Sequence, residues 1–257
     1  MSDSIVKYHY TTLAGCHGII ESGKLWFTDH RFLNDKHELE QGLLALLEYF
    51  PEERNSFNTA LNIHRSSTHY CVLSLSKSHE ILSQWRGYAA DGTGIAIGFN
   101  EQFLKSSGIN LIECKYDSYE ALTEKLAKKH ESLINLMHQA RPSSNNISVS
   151  NFIEWVGQHK EQFTALINDV IAIKNPAFSE EQEMRAVRSY DYGEVKMRLS
   201  GQLMIPYYEV KLWDNKQCSD AIYEIWLGPK CDNRNKIALE ALLIEHCDIQ
   251  KYDCGYR

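Results

Sequence analysis

The 257-residue sequence lacks cysteine pairs. Its seven cysteines (Cys16, Cys71, Cys114, Cys218, Cys231, Cys247 and Cys254) are scattered and odd in number. None stands in a Cys-x-x-Cys pair or at structural-zinc spacing, so neither a disulfide scaffold nor a zinc module is indicated. Reduced thiols in a cytoplasmic protein are expected, with no cysteine nominated as a nucleophile and no metal required. No uninterrupted apolar run approaches ~18 residues, so no membrane span and no membrane partner are expected. The opening "MSDSIVKYHY" has no basic region followed by an apolar run, so no secretory signal is expected. A basic excess is missing too: 27 Lys and Arg against 34 Asp and Glu give a net charge of −7. That balance argues against a generic polyanion-binding surface and leaves room for a local basic patch. Internal repeats and low-complexity tracts are absent.

What is present is a chain long enough for one large domain or two small ones, with a sizeable core. Aromatic residues make up 11%, including fourteen Tyr and five Trp, a composition for a packed globule with recognition pockets. "IVKYHY" alternates apolar and polar β-forming residues and reads as a first strand. "TTLAGCHGIIESGK" reads as a helix with a Thr N-cap and Gly23 as its stop. "LWFTD" is a second strand. "NDKHELEQGLLALLEYF" is an amphipathic helix capped by Asn34 or Asp35 and halted by Pro51. "HYCVLSLS" reads as a buried strand, "SQWRGYAADGTG" as a short helical turn and loop, and "IAIGF" as a central strand. From about 117 to 173 the pattern is helical, broken near "RPSSNNIS", as a helical hairpin inserted between halves of a sheet would be. Such an insertion could serve as a lid, a partner surface or packing. "EMRAVRSY", "PYYEVKLW" and "AIYEIWLG" read as strands and "NRNKIALEALLIEHC" as a terminal helix. The class is α+β, one domain over residues 1–257 with a helical insertion.

Four clusters could carry chemistry, and each has a structural alternative. Tyr8, His9, Tyr10 and Thr11 place a His among aromatics on a strand; a His satisfied by a backbone carbonyl is the simpler alternative. In "WFTDHRFLND", Thr28, Asp29, Asn34 and Asp35 follow a strand. A turn and helix cap explain Asn34 and Asp35 well, and Thr28 and Asp29 less well. Ser74 and Ser76 alternate along a strand end, so both hydroxyls point to one face. Gln84, Trp85 and Tyr88 fall on one side of a helical turn, where a Trp or Tyr could stack on a flat ring; core aromatics are the alternative. In "FSEEQEMRAVR" an extended backbone puts Glu181, Glu183 and Arg185 on one face and Glu180 on the other. Two carboxylates on one face suit glycosidic-bond chemistry, with Arg185 holding them ionised. A charged edge strand is the alternative.

Together, "YHYTTLAGCHGIIESGKLWFTDHRFLND", "LSLS…LSQWRGYAADGTGIAIGF", "FSEEQEMRAVR", "IPYYEV", "AIYEIWLGP" and the final "YR" resemble a widespread bacterial family of unknown function, usually grouped with the ADP-ribosyltransferase superfamily. The resemblance implies a split antiparallel β-sheet clasping NAD⁺, with flanking helices. It implies that His9, on the first strand, contacts ribose or phosphate. Ser74 and Ser76 would support the nicotinamide ribose, with Leu75 in place of the usual middle Thr. Trp85 or Tyr88 would stack the nicotinamide. In "EQE", Glu183 would be the essential carboxylate and Glu181 would serve the acceptor. Tyr8, Tyr10, Thr11, Thr28, Asp29, Asn34, Gln84 and Arg185 complete the implied NAD-binding set. The implied partner is an acceptor of unknown kind, protein or nucleic acid, and the implied setting is that of a bacterial toxin or an anti-phage effector. Two rival readings stay open: a nucleotide- or peptide-binding module without chemistry, and a metal hydrolase or nuclease built on Asp29, Asp35 and the glutamates.

Overall fold

The alternation in "VKYHYT" forms strand β1 (Val6–Thr11), and Thr12 then starts helix α1 (Leu13–Ser22). The Thr12 Oγ1 accepts the Gly15 N–H at 3.0 Å, satisfying one of the donors a helix start leaves open. Gly23 ends the helix at φ +63°, a left-handed conformation that costs glycine no Cβ clash. The structure, a computed structural model, describes residues 5–33, 37–52, 54–139, 149–191, 193–214, 218, 220–243 and 247–256. Strand β2 (Lys24–Asp29) leads to helices α2 (His37–Tyr49) and α3 (Arg54–Ser67), then to β3 (Thr68–Ser76). The expected α2 caps, Asn34 and Asp35, lie outside the described residues. After α4 (Leu82–Gly87), β4 (Ile95–Asn100), α5 (Glu101–Ser106) and β5 (Ile112–Glu113) comes the helical insertion. Among the described residues it holds four helices rather than one hairpin: α6 (Tyr119–Lys129), α7 (Glu131–Gln139), α8 (Val149–Gln158) and α9 (Lys160–Ile171). The "RPSSNNIS" break lies outside the described residues. The chain closes with β6 (Glu183–Asp191), β7 (Lys196–Ser200), β8 (Leu203–Lys211), β9 (Ile222–Leu227), α10 (Arg234–Leu242) and β10 (Asp248–Lys251).

The fold is α+β, with ten strands among the described residues in one open sheet in the order β10-β9-β4-β1-β3-β2-β8-β7, β6 branching from β3 and β5 pairing beyond it with β6. The sheet is mixed rather than wholly antiparallel. Strand β10 runs parallel to β9, because α10 carries the chain back before it re-enters the sheet. Strand β3 organises the rest. One of its edges pairs with β6 along all nine residues, from Thr68↔Asp191 to Ser76↔Glu183. The opposite edge is divided: β2 meets it at Cys71 and Val72, and β1 meets it only at Ser76. Between those junctions Leu73, Ser74 and Leu75 have no strand partner on that side among the described residues, so the sheet splits there.

Alternation along β3 also sets up two cores. Cys71, Leu73 and Leu75 join α1, β4 and β9 in one cluster, through Cys16, Ile20, Ile97 and Ile225. Tyr70 and Val72 face the other, which is filled by Leu43 and Leu46 of α2, Phe57 of α3 and Phe152, Phe163 and Ile167 of the insertion. The insertion is therefore part of the packing. Its two ends are clasped: the Lys115 N–H donates to the Ala172 carbonyl at 2.8 Å, and the Lys174 N–H to the Lys115 carbonyl at 2.9 Å. Among the described residues no helix is long and apolar enough to cross a membrane.

Phe163 is fully buried and stacked on His64 of α3. Phe163→Ala should cost about 3–5 kcal/mol. It should shift a single cooperative melting transition, read by circular dichroism, because the insertion and the sheet share one core. A separate early transition, with the main one unmoved, would contradict that integration.

Candidate functional site

At the split in the sheet lies a cleft of about 170 Å³. Strand β1 lines it with Tyr8, His9 and Tyr10, β2 with Trp26 and Thr28, and the open edge of β3 with Ser74 between Leu73 and Leu75. Gln84 and Tyr88 close it from the α4 segment, and Glu181 and Glu183 from the approach to β6. Nine of the expected residues thus share one wall: Tyr8, His9, Tyr10, Thr28, Ser74, Gln84, Tyr88, Glu181 and Glu183.

The two carboxylates meet by an unexpected route. Residues 176–181 form a 3-10 turn, and Gln182 follows at φ +47°, so the strand begins only at Glu183. Two backbone bonds hold that uncommon conformation, from Ser179 and Lys77. Both side chains nevertheless converge on the ammonium of Lys174, which is 1% exposed. Lys174 Nζ donates to Glu181 Oε2 and, at 2.6 Å, to Glu183 Oε2. Arg185 grips Glu183 from the other side, Nε to Oε1 at 2.8 Å and Nη2 to Oε2 at 3.0 Å, while its Nη1 donates to the Ile171 carbonyl. Tyr116 Oη accepts the Glu183 backbone N–H at 2.8 Å, and burial pushes this phenol up to about 12. Burial alone would push the Glu183 carboxyl up; the Arg185 and Lys174 charges outweigh it and hold the carboxyl at about 2. Burial likewise works against the Lys174 ammonium, and the two glutamates raise it above its usual value. The site therefore presents a fixed, ionised Glu183. With a pKa so low, Glu183 is a hydrogen-bond acceptor and electrostatic partner, and a poor proton acceptor.

His9 bridges the split. Its Nδ1 lies 3.1 Å from the Ser74 carbonyl. A carbonyl only accepts, so Nδ1 carries the proton, and the neutral ring presents Nε2 as an acceptor. Burial lowers the His9 pKa, and the Ser74 carbonyl opposes that only in part, so the ring is neutral at pH 7. Tyr8 Oη donates to Glu224 at 2.5 Å and Tyr10 Oη to the Ser78 carbonyl at 2.8 Å, and burial raises both phenols.

Five expected residues are elsewhere, each for a visible reason. Trp85 is fully buried, edge-on to Tyr10 and stacked on Tyr252, with its Nε1 donating to the His79 carbonyl. It is a core residue, and Tyr88, 39% exposed, is the aromatic of the pair that faces the cleft. Ser76 is shut in at the β1 junction, where its hydroxyl donates to the Glu181 carbonyl at 2.8 Å. Arg185 stands behind Glu183 rather than on the wall. Asp29 alternates away from Thr28 and accepts three bonds from Arg31. It does not join the glutamates, and among the described residues no group of three His, Cys, Asp or Glu could hold a metal. Thr11 ends β1 opposite Ile95, with its hydroxyl against Gly15. Asn34 lies outside the described residues. Trp26, Lys174 and Tyr116 were not anticipated. Trp26 was legible, because alternation puts it on the Thr28 face; Lys174 showed only as a lone cation ending the apolar run "VIAIK".

The sign of the acid response follows from Glu183. Its folded pKa lies near 2 against an ordinary 4.5, so its contribution is complete above about pH 4.5 and is lost as the pH falls toward 2. Urea unfolding between pH 7 and pH 2 should show a loss on the order of 3 kcal/mol from this group. Glu183→Gln should be less stable at pH 7 and decline more gently across that window. Equal slopes in the two proteins would contradict the assignment.

Residues 84–186 match the family model described as "Protein of unknown function (DUF2971)", a span that runs from Gln84 through the insertion to Glu181, Glu183 and Arg185. No curated protein and no solved structure matches the chain.

Proposed function

We propose that the cleft takes the nicotinamide–ribose end of NAD⁺, and that the chain is an ADP-ribosyltransferase-like enzyme passing ADP-ribose to an acceptor. One observation carries the reading. Three distant stretches of sequence bring His9, Ser74, Tyr88 and a pair of carboxylates to a single wall, at the split between β1 and β2. The volume of about 170 Å³ falls below the ~300–1,000 Å³ of pockets that enclose a whole drug-sized ligand. It suits one ring-bearing end of a dinucleotide, with the remainder lying across the rim.

Breaking the nicotinamide–ribose bond leaves positive charge on the ribose as nicotinamide departs with the bonding pair. Glu183, ionised and held by Arg185 and Lys174, is preplaced to accept a hydrogen bond from a ribose hydroxyl and to stabilise that charge. The four groups Glu181, Glu183, Lys174 and Arg185 sum to zero charge, so what they offer is a near oxygen of fixed orientation rather than a strong net field. Tyr88 supplies a face for the ring, and His9 Nε2 an acceptor for a hydroxyl. Glu181 is placed to orient the incoming nucleophile, whose proton passes to solvent water as its bond to the ribose forms. The close pairing of Glu183 favours a second reading, a nucleotide-binding module without chemistry.

Release of nicotinamide from NAD⁺ tests both. Glu183→Gln should lower turnover by roughly 10²–10³ while NAD⁺ affinity changes little, and Glu180→Gln should match the parent protein. Melting curves would establish that both variants are folded at the assay temperature. Comparable turnover by the Glu183→Gln variant and the parent protein would sink the catalytic role. Binding without release would select the module.

A further inference from the structure

The cleft wall leaves one requirement of a nucleotide unmet. Lys174 and Arg185 are matched by Glu181 and Glu183, and His9 is neutral, so none of them offers net positive charge to a phosphate. The hairpin of β7 and β8 does. Thr28 and Lys196 both stand opposite Tyr207, and Trp26 stands opposite Glu209. Period-two alternation therefore puts Lys24, Trp26, Thr28, Lys196 and Arg198 on one face of the sheet, continuous with the cleft. Arg198 Nη2 donates to Thr28 Oγ1 at 3.4 Å, and its guanidinium carbon lies 5.9 Å from the centre of the Trp26 ring. Its Nε is buried and has no hydrogen-bond partner, and among the described residues no carboxylate pairs with it. Lys24 at 2.9 Å and Lys196 at 2.5 Å share the single carboxylate of Glu209. Among the described residues, Lys24, Lys196, Lys211 and Arg198 thus face two carboxylates, Glu209 and Asp214, in a chain whose net charge is −7. Trp26 is 46% exposed and tilted against Tyr207, a flat apolar face at the mouth of the cleft.

We infer that Arg198 and Trp26 form an anion-binding subsite at the cleft rim that takes the phosphate groups of a nucleotide, an assignment that rests on the cleft being a nucleotide site. A guanidinium presents a fork that matches two phosphate oxygens, and Arg198 is half-buried beside Trp26 and Thr28 with no carboxylate among the described residues to occupy it. Lys24 and Lys196 add a local positive field that draws the phosphates to this side. Trp26 lies where a planar group attached to the phosphates would stack. The subsite fixes the direction of the ligand: its ring-bearing end in the cleft, and its phosphates toward the β7–β8 hairpin.

Calorimetric titration of the full chain with three probes separates the possibilities. The probes are nicotinamide riboside, nicotinamide mononucleotide and NAD⁺, which share the ring and differ in phosphate. The parent protein should bind the mononucleotide and NAD⁺ more tightly than the riboside. Arg198→Met should weaken the two phosphorylated probes at least tenfold and leave the riboside unchanged, while Arg198→Lys should recover part of the loss. Added salt should weaken phosphorylated probes more steeply in the parent than in the Arg198→Met variant. Unchanged melting temperatures would exclude misfolding as the cause. If the parent binds all three and Arg198→Met binds the mononucleotide equally well, the subsite is wrong and the cleft reading survives. If the parent binds none of them, the nucleotide reading itself fails, and this inference with it.

Discussion

Everything at the cleft depends on one buried ammonium. Glu181 and Glu183 are 7% and 5% exposed, a burial at which two neighbouring carboxylates would ordinarily drive one of the pair to protonate. Lys174 lies between them and bonds both, and Arg185 completes a quartet of zero charge. Such a cluster is poor evidence for stability, because the cost of stripping water from four ions offsets most of their attraction. Its value is positional. It ties the end of the insertion, the 3-10 turn and the first residues of β6 into one arrangement, and Ser76 of β3 joins through the Glu181 carbonyl.

The second constraint is geometric. A strand has two edges, and β3 gives one wholly to β6 and divides the other between β1 and β2. The unpaired stretch between those two junctions would be a liability if left bare. Here its Ser74 carbonyl is met by His9, and the remaining space is the cleft. The ring that holds the gap together is thus also the ring that lines it, which joins the structural and the functional interpretations of "YHYT" rather than setting them against each other.

Local chemistry made much of this legible in the sequence. Alternation marked β1, runs of β-forming residues marked β2, β3 and β6, and the Thr12 cap and Gly23 stop marked α1. Helix α3 went unread because its apolar positions Phe57, Ala60 and Leu61, although at helical spacing, sit among Asn55, Ser56, Asn58 and Thr59. Strand β7 alternates, but over five residues only and with Met197 and Leu199 exposed, and β10 offers a single apolar residue, Ile249; β8 and β9 make them strands, by pairing. Helical spacing grouped Trp85 with Tyr88, but Tyr10 and Tyr252, distant in sequence, decide which of them faces the core. In "EEQE" the convergence of Glu181 and Glu183 was anticipated and its cause was not. Extended alternation was expected, and a left-handed Gln182 with a lysine nine residues before Glu183 is what the chain uses.

The clasp between Lys115 and residues 172 and 174 has a consequence for motion. Lys174 is the first residue past the insertion, and its own backbone N–H is one of the two bonds that close the insertion's base. Opening the helical layer would therefore release that amide and withdraw the ammonium from both glutamates in the same event. Cleft and helical layer are therefore coupled through Lys174, and the two glutamates keep their buried, paired arrangement only while the helices stay docked.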